Sequence, residues 1–519
     1  MKLRSDAPKV ELAKWFTSPF DNAIATARTC YSSRVITDED VRKNLPLRDR
    51  IAESTYKAGH HTTLQHAHFE FTFDGVSRQA LWSFFHAHPF YNSEQVSQRY
   101  VEVKAGRVLK PEIGALNGVY DACVERQMRV YHELIELLMP VVARLYFGIF
   151  PARHRDTVDK RWTGAMQKRA QEVARYVLPI GTHAHLYHTV SGLTLHRYHR
   201  VADSHDCPSE QRLIVDRMIA LVVAQDPDFA LFLEDTLPLD DTADARALAN
   251  TARTADDTRA FVSEFDAALE GRTSKLVSMT DDPIRTLARG VREALGLPRA
   301  RLTDDDALAL LLDPAKNPAL GESLSLLTLG KASRALELVH MTFQRRISHT
   351  ADSQAQRHRM TPGARPVLWT QLTPGEADYV VPVILREPDA AHALAIYEGE
   401  MRAAFADVEA LADGGVEPEV WQYLLPNAVP VRYTETGSLL DQHHKWTTRL
   451  CYNAQEEIWR TAMDEVEQVA ARAPSLATWL LPPCGQRKRA GASPLCPEGE
   501  RYCGIPVWTK ERSAYLRVL

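Results

Sequence analysis

Three stretches of the chain, 124–146, 210–232 and 390–411, carry apolar residues three and four positions apart, the spacing that gathers them on one face of an α-helix. A shorter run at 67–73, AHFEFTF, alternates apolar and polar side chains and reads as a strand with one buried face. Helical pattern outweighs strand pattern, so the expected fold class is α+β, helix-rich with a small antiparallel sheet.

The same order of patterns occurs twice. Residues 10–40 and 276–306 each run from an apolar, strand-like start through a helix to a Thr-plus-acidic helix cap, with Val10 set against Leu276. GHHTTLQHAHFEFTF at 59–73 is answered by GKASRALELVHMTF at 330–343, and the RYVLP ending at Pro179 by the QYLLP ending at Pro426. The expected organisation is a first domain over 1–236 and a tandem second copy over 273–480. The Asp-, Ala- and Thr-rich residues 237–272 read as a linker with helical propensity, and 481–519 as a cysteine-containing tail.

A length of 519 residues suits two such domains. With 62 basic and 67 acidic residues, the net charge of -5 provides no global field to gather nucleic acid or an anionic membrane, so an anionic ligand must be held locally. No stretch approaches the roughly 20 apolar residues of a membrane span. Seven cysteines, an odd number, and the lack of an apolar leader make a reduced, cytoplasmic protein the expectation. A Gly-x-Gly-x-x-Gly after a strand, a phosphate loop and a His-Glu-x-x-His are all missing, which disfavours Rossmann, kinase and zinc-protease readings.

In the first copy, Asp74-Gly75-Val76-Ser77-Arg78 leads into a helix, followed by His86-Ala87-His88 and then Ser93-Glu94-Gln95-Val96-Ser97-Gln98-Arg99-Tyr100. In the second, Gln354-Ala355-Gln356-Arg357-His358-Arg359 stands at the same point. These residues carry a resemblance to the flavin-dependent thymidylate synthases, whose signature is Arg-His-Arg and, a short loop later, a Ser in a Ser-Gln-Arg-Tyr stretch. Gly59 to Thr62, Phe71 to Phe73, Gly75 to Arg78 and Ala202 to His205 are similar to further segments of that family.

The two copies depart from the signature in opposite ways. The first keeps Ser97-Gln98-Arg99-Tyr100 but has His86-Ala87-His88 for Arg-His-Arg; the second keeps Arg357-His358-Arg359 but lacks the Ser-x-Arg. The family's pyrimidine-contacting Arg is Arg449, with Val201 expected opposite it, and the Arg before the Leu-Pro step is Arg175, with Gln422 opposite it. The resemblance implies active sites built between subunits of a homotetramer. The expectation here is therefore one composite site, combining Gln354, Arg357, His358, Arg359 and Arg449 with Gln95, Ser97 and Arg99, in a homodimer that mimics the tetramer.

The same resemblance implies FAD as cofactor, with NADPH and methylenetetrahydrofolate as co-substrates, and reductive methylation of dUMP to dTMP or a closely related C5 modification. It assigns His60, Thr62, Arg357, His358 and Arg359 to FAD, and His444 as well, although the family usually has Asn there. Gln95, Ser97, Arg99, Gln354 and Arg175 fall to the nucleotide. A dianionic phosphate calls for the planar fork of Arg plus hydroxyl and amide donors. A fixed guanidinium at Arg449 stabilises charge that builds on the pyrimidine carbonyls as C6 accepts hydride.

Plainer readings stand beside these. Arg-His-Arg occurs on many solvated helices, His86 and His88 are ordinary core or surface histidines, and Arg449 caps a helix C-terminus. At the level of function the alternative is a flavin- or nucleotide-binding pseudoenzyme. No metal is expected: zinc on Cys484, Cys496 and Cys503, with His443 or His444 as fourth ligand, lacks the tight Cys pairs of closed sites.

Overall fold

In a computed structural model of the chain, which describes all residues except 89, 151–159, 252 and 518, the alternating run forms the expected strand. β1 (Lys9–Trp15) pairs antiparallel with β2 (His68–Ser77), which buries Phe69, Phe71 and Phe73 on one face. Burial of each ring contributes roughly 2 kcal/mol. With β3 (Tyr91–Gln95) and β4 (His183–Ser191) they make a four-stranded antiparallel sheet in the order β1-β2-β4-β3.

A second sheet repeats the plan with β5 (Ser274–Met279), β6 (His340–Ser348), β7 (Gly363–Ala364) and β8 (Pro430–Ser438), in the order β5-β6-β8-β7. The fold is thus helix-rich with two small antiparallel sheets, one per repeat. Repeat register differs from the expected one near the N-terminus. The β-bulges fall after Leu12 and after Leu276, and the left-handed residues that open the next helices are Ser18 and Asp282, so Leu276 matches Leu12 rather than Val10. Thr37 still matches Thr303, each bonded to an acidic residue three positions on, because the second copy carries two more residues in between.

The repeats meet about a local two-fold relation. Ile180 N–H donates to Leu425 O at 2.8 Å and Gly181 N–H to Tyr423 O at 2.9 Å, while Asn427 N–H and Ala428 N–H donate in return to Leu178 O and Tyr176 O. A Cβ on Gly181 would meet Tyr423 O at 2.9 Å, so glycine is what allows this approach. Side chains repeat the exchange: Tyr423 donates to Glu210 at 2.9 Å and Tyr176 to Glu457, and each glutamate also accepts from the N–H and hydroxyl of the serine ending its own repeat's second strand, Ser77 or Ser348.

The long helices Asn117–Ile149 and Ala391–Asp413, one from each copy, pack together across this seam, where Arg126 bridges Glu400 and Asp407. One apolar core therefore runs from Phe71 in the first copy to Leu385, Tyr397 and Tyr433 in the second. A separate core under β5 and β6 belongs to the second copy and receives Val507 and Tyr515 from the tail. Residues 237–272 contain the helices Ala243–Asn250 and Ala255–Ala268, and the latter is tied to the second sheet by Asp266, which accepts two bonds from Arg432 at 2.7 Å. Among the described residues no helix is long and apolar enough to cross a membrane.

Candidate active site

β2 ends at Ser77, whose hydroxyl accepts from Ala80 N–H and starts a short helical turn that opens with Arg78. β3 runs antiparallel to β4 and ends at Gln95, which delivers the segment 96–100 to the same place. From the second copy, Ser348 caps the helix His349–Ala355, which presents Gln354 and leads into Arg357-His358-Arg359. The helix Leu439–Arg449, capped by Ser438, contributes its last residue.

These four segments enclose a cavity of about 430 Å³ lined by Arg78, Gln95, Ser97, Gln98, Arg99 and Arg175 from the first copy, and by Gln354, Arg357, His358, Asn427 and Arg449 from the second. Five guanidinium groups face one space. Arg78 donates to Gln95 Oε1 at 2.8 Å and to Val96 O at 2.7 Å; Arg99 pairs with Glu172 and donates to Asn453 O at 2.8 Å; Arg449 donates to Gln354 O at 2.7 Å. Arg357 pairs with Glu94 at 2.6 Å, and Arg359 lies over the Tyr91 ring, 4.9 Å from its centroid.

Among the described residues, several donors in the walls have no partner: Arg78 Nε, Gln98 Nε2, Arg175 Nη2 and Arg449 Nε. Burial, reinforced by Arg99, Arg357 and Arg345, holds the Arg449 guanidinium down to about 10, and burial with Arg175 nearby holds Arg78 down to about 9. Burial pushes the Glu172 carboxyl up, but Arg99, Arg169 and Arg175 together bring it down to about 2. Excess positive charge with unsatisfied N–H groups is a site short of an anion. A nucleotide phosphate and a flavin pyrophosphate both fit that donor set, with Arg357 and Arg359 exposed at the mouth. His358 is kept neutral by burial and by Arg449, and meets the exposed His444 edge-on at 5.9 Å.

The sequence-derived set thus divides. Gln95, Ser97, Arg99, Arg175, Gln354, Arg357, His358 and Arg449 line one cavity; Arg359 and His444 do not line it, the former bonded to Asn92 and the latter packed on His358. His60 and Thr62 are exposed, and His60 lines other cavities, beside Arg28, Tyr31 and Arg50 and beside Tyr56 and Phe232. The expected grouping of His60 and Thr62 with Arg357 and Arg359 does not occur within one chain. Sequence reasoning passed over Arg78, Gln98 and Asn427. Arg78 stood in the quoted Gly75–Arg78 turn, and Asn427 directly after the QYLLP step.

The place related to this cavity by the two-fold is closed. The matching helix caps, Ser191 and Ser438, and the matching glutamates, Glu210 and Glu457, bracket equal lengths of chain, so Arg449 corresponds to Ala202, not to Val201 as expected. Where the open site has arginines, this one has a neutral chain: His349 Nε2 lies 3.0 Å from Gln79 Oε1, and Gln79 Nε2 donates at 3.1 Å to Gln422, which donates on to Asp206 O. Trp82 donates to Asp352 at 2.7 Å, and Arg365 holds the same carboxylate with two bonds. His86 is buried and His88 half-buried, held chiefly by burial at about 3 and about 4.

The family model described as "Thymidylate synthase complementing protein" matches residues 11–228 and again 276–475. The chain belongs to this family. Among curated proteins, the flavin-dependent thymidylate synthase of Geobacter sulfurreducens is 30% identical over 109 residues, 21% of this chain and 44% of that protein. The enzyme of the same name from Clostridium tetani is 24% identical over 206 residues, 38% of this chain and 76% of that protein. The chain spans under half the length of the first of these relatives. Both family matches fall within the two repeats, and the cavity of this family member draws on each of them.

Proposed function

We propose that this chain is an FAD-dependent enzyme that reductively methylates dUMP to dTMP, or carries out a closely related C5 modification of a uracil nucleotide, at the composite arginine-lined cavity between its repeats. The observation that carries this reading is the convergence of Arg78, Arg99, Arg175 and Arg449 on one space with N–H groups left over.

Arg99 and Arg175, with Ser97 and Gln354, hold the nucleotide phosphate, whose charge replaces the missing hydrogen-bond partners. Arg449 sits at the deep end beside Gln354, fixed by its carbonyl bond, and stabilises negative charge on the pyrimidine carbonyls more in the transition state than in the ground state. His358, held neutral by burial and by Arg449, lines the cavity without adding charge. Arg357 and Arg359 neutralise the flavin pyrophosphate at the mouth. Bound flavin supplies the hydride, with NADPH as reductant and methylenetetrahydrofolate as one-carbon donor.

His60 and Thr62 complete a flavin site only if they come from a second copy of the chain, which makes a homodimer part of the proposal. A cytoplasmic setting agrees with the nucleotide substrate and the free cysteines. Purified protein is expected to be yellow, to bleach with NADPH, and to release tritium from C5-labelled dUMP when methylenetetrahydrofolate is present. Protein that takes up no FAD overturns the enzyme reading in favour of a pseudoenzyme, and flavin binding without tritium release moves the substrate to another pyrimidine.

A further inference from the structure

Four of the seven cysteines converge. Cys451, in the turn just after Arg449, and Cys484, Cys496 and Cys503, from the tail, line one small cavity of about 20 Å³. They come from three separate segments, spaced along the chain with none of the close pairing of common zinc motifs, so only the fold brings them together. The remaining cysteines lie elsewhere: Cys30 is exposed, and Cys123 and Cys207 are buried in the first copy's core.

The Cys503 thiol donates to Ile505 O at 3.6 Å. The rest of the lining mixes prolines, Ile505 and Val507 with the polar Asn453, Glu498 and two tyrosines. Among the described residues no three Cys, His, Asp or Glu already stand close enough to hold an ion, so binding draws the sulfurs inward over a space that admits a single atom.

We propose that Cys451, Cys484, Cys496 and Cys503 form a tetrathiolate site for one thiophilic divalent ion, with zinc the chemistry that fits best. Binding replaces four S–H bonds with four metal–sulfur bonds and releases the protons to solvent, with no change of oxidation state. The fourth ligand is Cys451, not His443 or His444, neither of which lines the cavity. The ion pins the tail to the turn between the helices Leu439–Arg449 and Glu456–Arg472, where Asn453 already donates to Arg501 O at 2.6 Å and its own carbonyl holds Arg99. It is thus a brace for the arginine cavity, and its existence does not depend on what that cavity binds.

Metal analysis of the full chain, purified without chelator under argon, is expected to find roughly one zinc, or one iron without acid-labile sulfide, per chain. Exchange with Co²⁺ is expected to give the visible bands and thiolate charge-transfer absorption of a tetrahedral sulfur site. Cys484→Ser and Cys503→Ser each lose the ion, whereas Cys30→Ser keeps it. Protein that carries no stoichiometric metal and takes up neither Zn²⁺ nor Co²⁺ overturns the proposal, as do disulfides among the four cysteines in peptide mapping. Stoichiometric iron with sulfide replaces the single ion by a cluster and overturns it equally.

Discussion

Arg449 is the last residue of its helix, yet it donates to a carbonyl of a different helix, so its side chain is placed by tertiary contact rather than spent on capping. Replacing Arg449 by Ala is expected to lower kcat in the tritium-release assay by about 100-fold or more, the usual cost of removing a preorganised charge donor, with the fold intact. Arg99→Ala acts more on nucleotide KM, because Arg99 grips the substrate in ground state and transition state alike. His88→Ala, in the closed site, leaves both constants within a few-fold, and a loss as large as that of Arg449→Ala sinks the assignment of a single composite site. The sequence pointed to most of the residues that line the cavity. It missed Arg78 because nothing local distinguishes a guanidinium held inside a cavity from one that meets solvent.

At the scale of elements the two sheets are the same frame filled differently. Beneath β6 and β8, Arg345 pairs with Glu435 at 2.7 Å and with Glu465, Lys445 pairs with Glu435, and Trp446 donates to Glu465 at 2.7 Å, all buried. The first copy packs Phe73, His188 and Tyr198 at the positions matching Arg345, Glu435 and Lys445, with His188 bonded to Tyr198 at 3.1 Å. Removing Glu435 strands buried Lys445 and leaves Arg345 with Glu465 alone, so Glu435→Ala is expected to cost about 3–5 kcal/mol in chemical denaturation. Tyr423→Phe, which removes one cross-seam donor from buried Glu210, is expected to cost about 1–3 kcal/mol. The alternation of β2 and the amphipathic helices were legible because their periods are local. How a strand's buried arginine would be paired depended on partners 90 and 120 residues away, Glu435 and Glu465.

Over the whole molecule, His86, His188 and His349 are buried neutral, each held at about 3, chiefly by burial. Their folded values lie below the unfolded one, so the unfolded chain binds more protons between roughly pH 6.5 and 3, and their contribution is present above that window and lost on acidification. Each is expected to remove up to about 1.4 kcal/mol per pH unit. Thermal midpoints should therefore fall steeply from pH 7 to pH 5, and a flat profile would refute the neutral assignment. Since one core spans both repeats, residues 1–272 expressed alone are expected to be insoluble and to recover on co-expression with 273–519, read by size-exclusion chromatography.

By itself the sequence determined the duplication, the helix-rich class with its small sheets, the family and most of the arginines, because periodicity and motif order are written in neighbouring residues. Only the tertiary structure decided which of the two related sites stays open, that His60 and Thr62 stand apart from Arg357, that Ala202 answers Arg449, and that Cys451 joins the tail cysteines. Each of those depends on how distant segments meet across the seam, where close packing admits one arrangement and the spacing of residues along the chain carries no record of it.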